Sequence, residues 1–195
     1  MESLDRLYFG TWQLGGQFKS LSSLENEALL RFALNSGIRR FDTAAVYGGG
    51  RVEEMLGLYL PEDAVIVTKI PAIRKPDLSS PGPIQEFYSR DHLYSSLENS
   101  LRRLRRSSVD TVLLHNWLPP WSSAGNKVLQ CLGEMKNKGL VKRVGISLPD
   151  DFGSLLDPAV LSCIDVIEAP FNPGQQWILE QLPSLLKMKK EVLLR

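Results

Sequence analysis

The sequence predicts an α/β fold of the (β/α)8-barrel type, with about seven strands present and the final strand and C-terminal helices missing. Three observations lead there. Short segments rich in β-branched and aromatic residues alternate with segments of helical character along the 195 residues, which is the signature of βαβ units in a mainly parallel sheet. Asp42, Lys69, His115 and Ser147 each follow an apolar segment at its C-terminal end, on four different segments. A (β/α)8 barrel assembles an active site in that way, whereas an open doubly wound sheet concentrates its site at one crevice. The seventh strand segment runs to the last residues of a chain shorter than the ~250 residues typical of this barrel. No linker or low-complexity tract divides residues 1–195, so one domain is expected.

The elements follow in order. Residues 7–12 make the first strand, and Ser22 or Ser23 can cap a helix running to about Asn35, where Gly37 stops it. Residues 38–43 form the second strand, 53–59 begin a second helix, and 65–70 form the third strand. Residues 76–83, with prolines at both ends and Ser79, Ser80 and Gly82 between, read as a surface loop. Over residues 90–106, Leu93, Leu97, Leu101 and Leu104 recur at spacings of three and four, which draws one apolar stripe along a helix with the arginines off it. The fourth strand is 109–115, and a helix over 126–138 ends at Gly139. Strands at 143–147 and 165–169 precede a helix over 175–189 that Pro183 should kink or split. Residues 191–194 are the seventh strand.

Composition narrows the function classes. With 43% apolar and 23% charged residues the chain reads as a soluble globular protein, and a net charge of +1 gives no overall pull toward nucleic acid or an anionic membrane. Arg102, Arg103, Arg105 and Arg106 form a local basic cluster, but the intervening leucine and the helical context favour a solvated helix face over a nucleic-acid surface. The N-terminus carries charges where a signal peptide needs an apolar stretch, and no apolar run reaches the ~18 residues of a membrane span. Cys131 and Cys163 have no CxxC or Cys/His spacing, so neither a metal site nor a disulfide framework is expected. A cytoplasmic protein fits these features.

Taken singly, the polar residues at the strand ends have ordinary readings. Asp42 can start a turn, Tyr47 before three glycines can be a loop aromatic, Lys69 can reach water, and His115 can be a hydrogen-bonded structural residue. Converging at one barrel end, they form a proton-donating device. A free phenol has a pKa near 10 and gives up its proton reluctantly. A lysine ammonium beside it stabilises the developing phenolate, an aspartate keeps that lysine charged and oriented, and a histidine can orient a substrate carbonyl. No side chain supplies a hydride, so a reductase built this way needs a nicotinamide. Trp12 and Trp117, with neighbouring loop residues, can wall a substrate pocket; a cluster packed on its own scaffold is the competing reading. Gly48, Gly49 and Gly50 lack the spacing of a phosphate-binding loop.

The stretches Phe9-Gly10-Thr11-Trp12-Gln13-Leu14-Gly15-Gly16, Phe41-Asp42-Thr43-Ala44-Ala45-Val46-Tyr47-Gly48 and Val67-Thr68-Lys69 carry a resemblance. So do Ser100-Leu101-Arg102-Arg103-Leu104 and Asp110-Thr111-Val112-Leu113-Leu114-His115. In order and spacing they resemble the aldo-keto reductase family over nearly the whole chain. The resemblance implies Tyr47 as general acid, Lys69 and Asp42 as the pair that lowers its pKa, and His115 as the carbonyl-orienting member. NADPH is the cofactor it implies, and a small aldehyde or ketone the substrate. Two positions depart from the family. Where the family has Ser-Asn after the fifth strand, this chain has Ser147-Leu148; where it has a glutamine on the sixth, this chain has Glu168. A carboxylate accepts hydrogen bonds but does not donate like an amide unless protonated. Ser147, Glu168 and Asn172 are therefore the candidates for holding the cofactor. The family's phosphate-binding loops follow its seventh and eighth strands, past the matching Val192-Leu193-Leu194-Arg195, so weak cofactor binding by these 195 residues is expected. Open edges at the first and seventh strands offer a route to oligomers. Two functions compete: a reductase of carbonyls, or a fragment of one, and a noncatalytic binding or regulatory protein with impaired cofactor binding.

Overall fold

The computed structural model describes residues 4–77, 80–122, 125–150 and 152–195. Residues 1–3 of the N-terminal stretch, and Ser79 of the expected 76–83 loop, lie outside the described residues. Among the described residues there are seven strands: β1 (Tyr8–Gly10), β2 (Arg40–Asp42), β3 (Val65–Ile70), β4 (Val109–Leu114), β5 (Val141–Ser147), β6 (Val166–Ala169) and β7 (Glu191–Leu194). They pair in sequence order and every pair is parallel. Unbroken order is what a barrel requires, since a doubly wound sheet reverses its strand order at a switch point. The sheet curls far enough for the Tyr8 hydroxyl of β1 to reach Glu191 Oε1 of β7 at 3.4 Å. Among the described residues β1 and β7 do not pair with each other, and a cleft of about 450 Å³ lies between them. The architecture is an open, partial barrel of the expected type.

Helices α1 (Ser23–Asn35), α2 (Arg51–Tyr59), α3 (Arg90–Leu104), α4 (Asn126–Asn137), α5 (Pro158–Cys163) and α6 (Ile178–Lys187) connect the strands. Ser22 caps α1 by a reciprocal box: its hydroxyl accepts from the Glu25 amide at 3.2 Å, and the Glu25 carboxylate accepts from the Ser22 amide at 2.7 Å. The leucine stripe of α3 is buried as its spacing requires. Several strand and helix ends differ from the sequence pattern by a residue or two, and three differences are larger. β1 stops at Gly10 because Trp12–Gly15 turns into a 3-10 helix. α5 has no counterpart in the sequence reading, its six residues being too few to show a helical period; Asp157 caps it, accepting from the Ala159 amide at 2.7 Å. α6 continues through Pro183 and starts only at Ile178.

The main core lies between the sheet and the helices, and a smaller cluster of Val67, Leu113 and Val166, joined by Tyr8 and Leu193, fills the concave side. Strand period two then fixes the rest of the inner face. Lys69 follows Val67, His115 follows Leu113, Ser147 follows Gly145, Glu168 follows Val166 and Arg195 follows Leu193, each by two residues. Behind the sheet, fully buried Glu53 of α2 is held by the Arg103 guanidinium (2.8 and 2.7 Å) and by the Thr68 hydroxyl (2.6 Å), which locks α2 and α3 to β3. Gly57 lets these helices touch: a Cβ there would sit 2.3 Å from the Arg103 carbonyl oxygen.

Candidate active site

Lys69 sits at the centre of the C-terminal end of the sheet and is only 1% exposed. A buried ammonium persists only when paired and hydrogen-bonded. Lys69 Nζ donates to Asp42 Oδ1 at 2.6 Å and to the Thr43 carbonyl at 3.1 Å, and it lies 3.1 Å from Glu168 Oε2. Burial by itself pulls the ammonium pKa down, but the charges of Glu168 and Asp42 outweigh it and hold Lys69 above the ordinary lysine range. Burial pushes Asp42 up to about 7, with Lys69 pulling it down and Glu168 pushing it further up.

Tyr47 reaches the same place from the turn Tyr47–Gly50 after β2. Its ring centroid is 5.5 Å from Lys69 Nζ. The turn needs glycines, since Gly48, Gly49 and Gly50 have φ of 58°, 67° and 94°. Gly15 braces it from the neighbouring loop, where a Cβ would come within 2.9 Å of the Gly48 nitrogen. Burial raises the Tyr47 phenol above its usual pKa; Lys69 opposes that shift, and the negative charges of Asp42 and Glu168 add to it. The lysine thus lowers a pKa that the whole site raises.

His115 extends β4, its amide donating to the Ile70 carbonyl at 2.9 Å, while the His115 carbonyl accepts from the Tyr88 hydroxyl. Its ring meets the Tyr47 ring edge-on at a centroid distance of 6.3 Å. Burial, reinforced by the Lys69 charge, lowers its pKa to about 4, so the imidazole is neutral at pH 7. The chain turns away at Asn116, whose φ of 61° suits an asparagine.

The other expected residues divide. Ser147 and Glu168 are register partners on β5 and β6, and the serine hydroxyl donates to Glu168 Oε1 at 3.1 Å. Arg195 Nε lies 3.1 Å from the same oxygen, while its other nitrogens bind the Leu148 carbonyl (2.6 Å) and Asp150 (2.7 Å). Glu168 Oε2 is buried and accepts no hydrogen bond among the described residues. Beside it stands the Ser147 hydroxyl. Oε2 pairs with the Lys69 charge at 3.1 Å outside hydrogen-bond geometry, so it keeps acceptor capacity next to a hydroxyl, which suits a carboxamide. Leu148 turns its side chain into the main core, one residue out of phase with Ser147. Asn172 does not join the site: it is exposed, and its Oδ1 closes a local turn by accepting from the Gly174 amide at 3.0 Å.

A cleft of about 720 Å³ opens over these groups, lined by Asp42, Tyr47, His115, Glu168 and Trp12 among others. Trp12 meets Phe18 edge to face at the mouth (5.1 Å). Trp117 is not a wall of this cleft. It is 1% exposed and packs against Trp121 at 6.2 Å in the core beneath, so the scaffold-packing alternative describes it. The sequence reading missed Arg195, Asp150, Gln17, Lys75 and Asn116, which also line the cleft. For Arg195 a signal existed: it lies two residues beyond inward-facing Leu193.

The aldo/keto reductase family profile matches residues 6–155. A probable voltage-gated potassium channel subunit beta from Arabidopsis thaliana is 31% identical over 139 residues, covering 68% of this chain and 39% of that protein. Among solved structures, the holo form of an aldo-keto reductase from Bacillus halodurans superposes with a TM-score of 0.76 at 21% identity, covering 97% of this chain and 61% of that one. An aldo/keto reductase from Klebsiella pneumoniae in complex with NADP and acetate gives 0.71 at 20% identity, covering 96% and 62%. The chain therefore spans less than two thirds of the length of each of these relatives. No described helix is long and apolar enough to cross a membrane.

Proposed function

The chain belongs to the aldo/keto reductase family, and from that premise we propose that it carries the catalytic end of a cytoplasmic NADPH-dependent reductase of small aldehydes or ketones, with Tyr47 as the proton donor. The convergence of Tyr47, Asp42 and His115 on one cleft, with Lys69 buried beside them and paired to Asp42, carries this reading. The fold alone does not, because one barrel serves many chemistries.

The residues present fit the nicotinamide end of the cofactor. Glu168 Oε2, buried and ion-paired with Lys69 but accepting no hydrogen bond among the described residues, would accept from the carboxamide amino group, and Ser147 would lie beside the carboxamide. When bound, the reduced nicotinamide supplies the hydride that no side chain can. The chain's own groups handle the proton. Neutral His115 orients the substrate carbonyl toward Tyr47 by a hydrogen bond from its ring N–H. Tyr47 gives its phenolic proton to the carbonyl oxygen, and Lys69 stabilises the phenolate left behind. Asp42 and Glu168 keep Lys69 charged and in place. Trp12 and Val46 give the cleft apolar surface that helps exclude water. The test is loss of reduced-nicotinamide absorbance when purified chain meets NADPH, raised to millimolar because weak binding is expected, and a panel of aldehydes and ketones; no turnover that depends on Tyr47 with cofactor bound rejects the reading.

A second reading is a noncatalytic binding or regulatory protein with impaired cofactor binding. The core-facing Leu148 favours it, since that position offers no polar group to a carboxamide, and so does the name of the plant relative. Titration with NADPH separates the two, because no saturable cofactor binding up to millimolar NADPH, together with no turnover on any carbonyl, supports this second reading.

A further inference from the structure

Resting on the reductase reading, we propose that Glu168 is a positioning residue that takes over the role of fixed counter-ion to Lys69, leaving Asp42 as a proton-exchanging group that sets the charge beside Tyr47. The geometry gives the two carboxylates unequal support. Glu168 is 2% exposed and faces two cations, Lys69 at 3.1 Å and Arg195 at 3.1 Å, and it accepts from the Ser147 hydroxyl at 3.1 Å. Asp42 has one cation, Lys69 at 2.6 Å, and shares it.

The groups that face this pair include Tyr47 after β2, Lys69 on β3, His115 after β4, Glu168 on β6 and Arg195 after β7, and from the β1 side Arg6 and Tyr8 line the adjoining cleft with Asp42 and Glu168. Ser147 on β5 is uncharged. His115 is neutral at pH 7 and offers no positive charge. Arg195 stands at the rim with its side chain 37% exposed and divides its charge with Asp150, so it supports Glu168 and not Asp42. Two carboxylates around one ammonium, Glu168 buried and Asp42 with its side chain 20% exposed, cannot both ionise without cost, and the one with fewer cations takes the proton. That group is Asp42, which burial and the Glu168 charge push up to about 7.

The consequence falls on the acid. Ionised Asp42 opposes phenolate formation at Tyr47, and protonated Asp42 does not. Proton donation therefore weakens as pH rises through neutrality, and Glu168 sets where this happens. In Glu168→Gln the competing charge is gone, so Asp42 stays ionised to lower pH.

The experiment is a pH titration of the Asp42 side-chain carboxyl by carbon NMR, on chain labelled at aspartate and assigned with Asp42→Asn, without cofactor or substrate. In the parent protein the Asp42 midpoint is expected near neutral pH; in Glu168→Gln it is expected at least about one pH unit lower, a tenfold loss of proton affinity. An Asp42 midpoint that does not move in Glu168→Gln overturns the proposal. So does a parent Asp42 that completes its titration below about pH 5, in the ordinary carboxylate range, a result that needs no folded variant. Because no turnover is read, failure of the reductase reading leaves this outcome intact, and the reverse also holds.

Discussion

The His115 ring stands edge-on to the Tyr47 ring, with centroids 6.3 Å apart and planes at 78°. One side of the phenol therefore faces a neutral imidazole and another the Lys69 ammonium. A group with charge on one flank and an uncharged hydrogen-bonding ring on the other can release its proton to a carbonyl oxygen that the imidazole holds in line, while the ammonium stabilises the phenolate left behind.

Tyr47→Phe keeps the ring and removes only the proton. Carbonyl reduction is expected to fall by at least about 100-fold, the low end for loss of a general acid. The dissociation constant for NADPH, measured by fluorescence quenching, should stay near that of the parent. Equal turnover in the phenylalanine variant would show that another group donates the proton.

His115→Gln should change how stability depends on pH. The folded His115 pKa is depressed from 6.5 to about 4, so its contribution is present above 6.5 and lost as pH falls toward 4. Asp42 has the opposite sign: its folded pKa is raised from 3.8 to about 7, so its contribution is present at low pH and lost as pH rises through about 7. Over the shared window the two slopes oppose. Removing the histidine should therefore make the variant gain stability relative to the parent as pH falls from 6.5 toward 4, in urea denaturation at several pH values. A constant difference across that range would mean that His115 is protonated in the folded chain.

Arg103→Met leaves the fully buried Glu53 carboxylate with the Thr68 hydroxyl but without its cation. Breaking a buried pair from one side costs about 3–5 kcal/mol. Urea denaturation should show a loss of that order, and Glu53→Gln added to Arg103→Met should recover part of it. A loss below about 1 kcal/mol, the range of surface pairs, would show that water reaches the carboxylate.

The site was legible in the sequence wherever strand period two governs direction. Asp42, Lys69, His115, Ser147 and Glu168 all stand where apolar alternation places an inward residue, and they meet there. Loops obey no such period. Trp117 looked like a cleft wall because it follows His115 by two residues, yet its indole is seated against Trp121 and occupies the space that a Cβ on Gly125 would need, 2.4 Å from Trp117 Cη2. Asn172 was drawn to the site by its amide, but a short turn to Gly174 and Gln175 uses that amide locally. The ion pair from Arg195 to Glu168 joins two separate strand ends, and no local pattern announces a contact of that kind.

Lys69→Met tests the centre of the site through both chemistry and stability. Removing the ammonium takes away the one charge that pulls the Tyr47 phenol down, and leaves burial, Asp42 and Glu168 all pushing it up. Turnover should fall by roughly 100-fold to 10,000-fold, the range for disabling acid catalysis, and its alkaline limb should move to higher pH. Stability responds with a definite sign. Asp42 already binds its proton more tightly folded than unfolded, and losing Lys69 tightens it further, so the window in which stability declines with pH extends above about 7. The deficit of Lys69→Met against the parent should therefore widen between pH 7 and pH 9, while the parent's own Lys69, held above the ordinary lysine value of 10.5, contributes a constant amount there. Thermal or urea unfolding at those two pH values checks this. A deficit that stays constant or narrows would show that the carboxylates around position 69 reach water once the lysine is gone, and that Lys69 is not what keeps Asp42 charged.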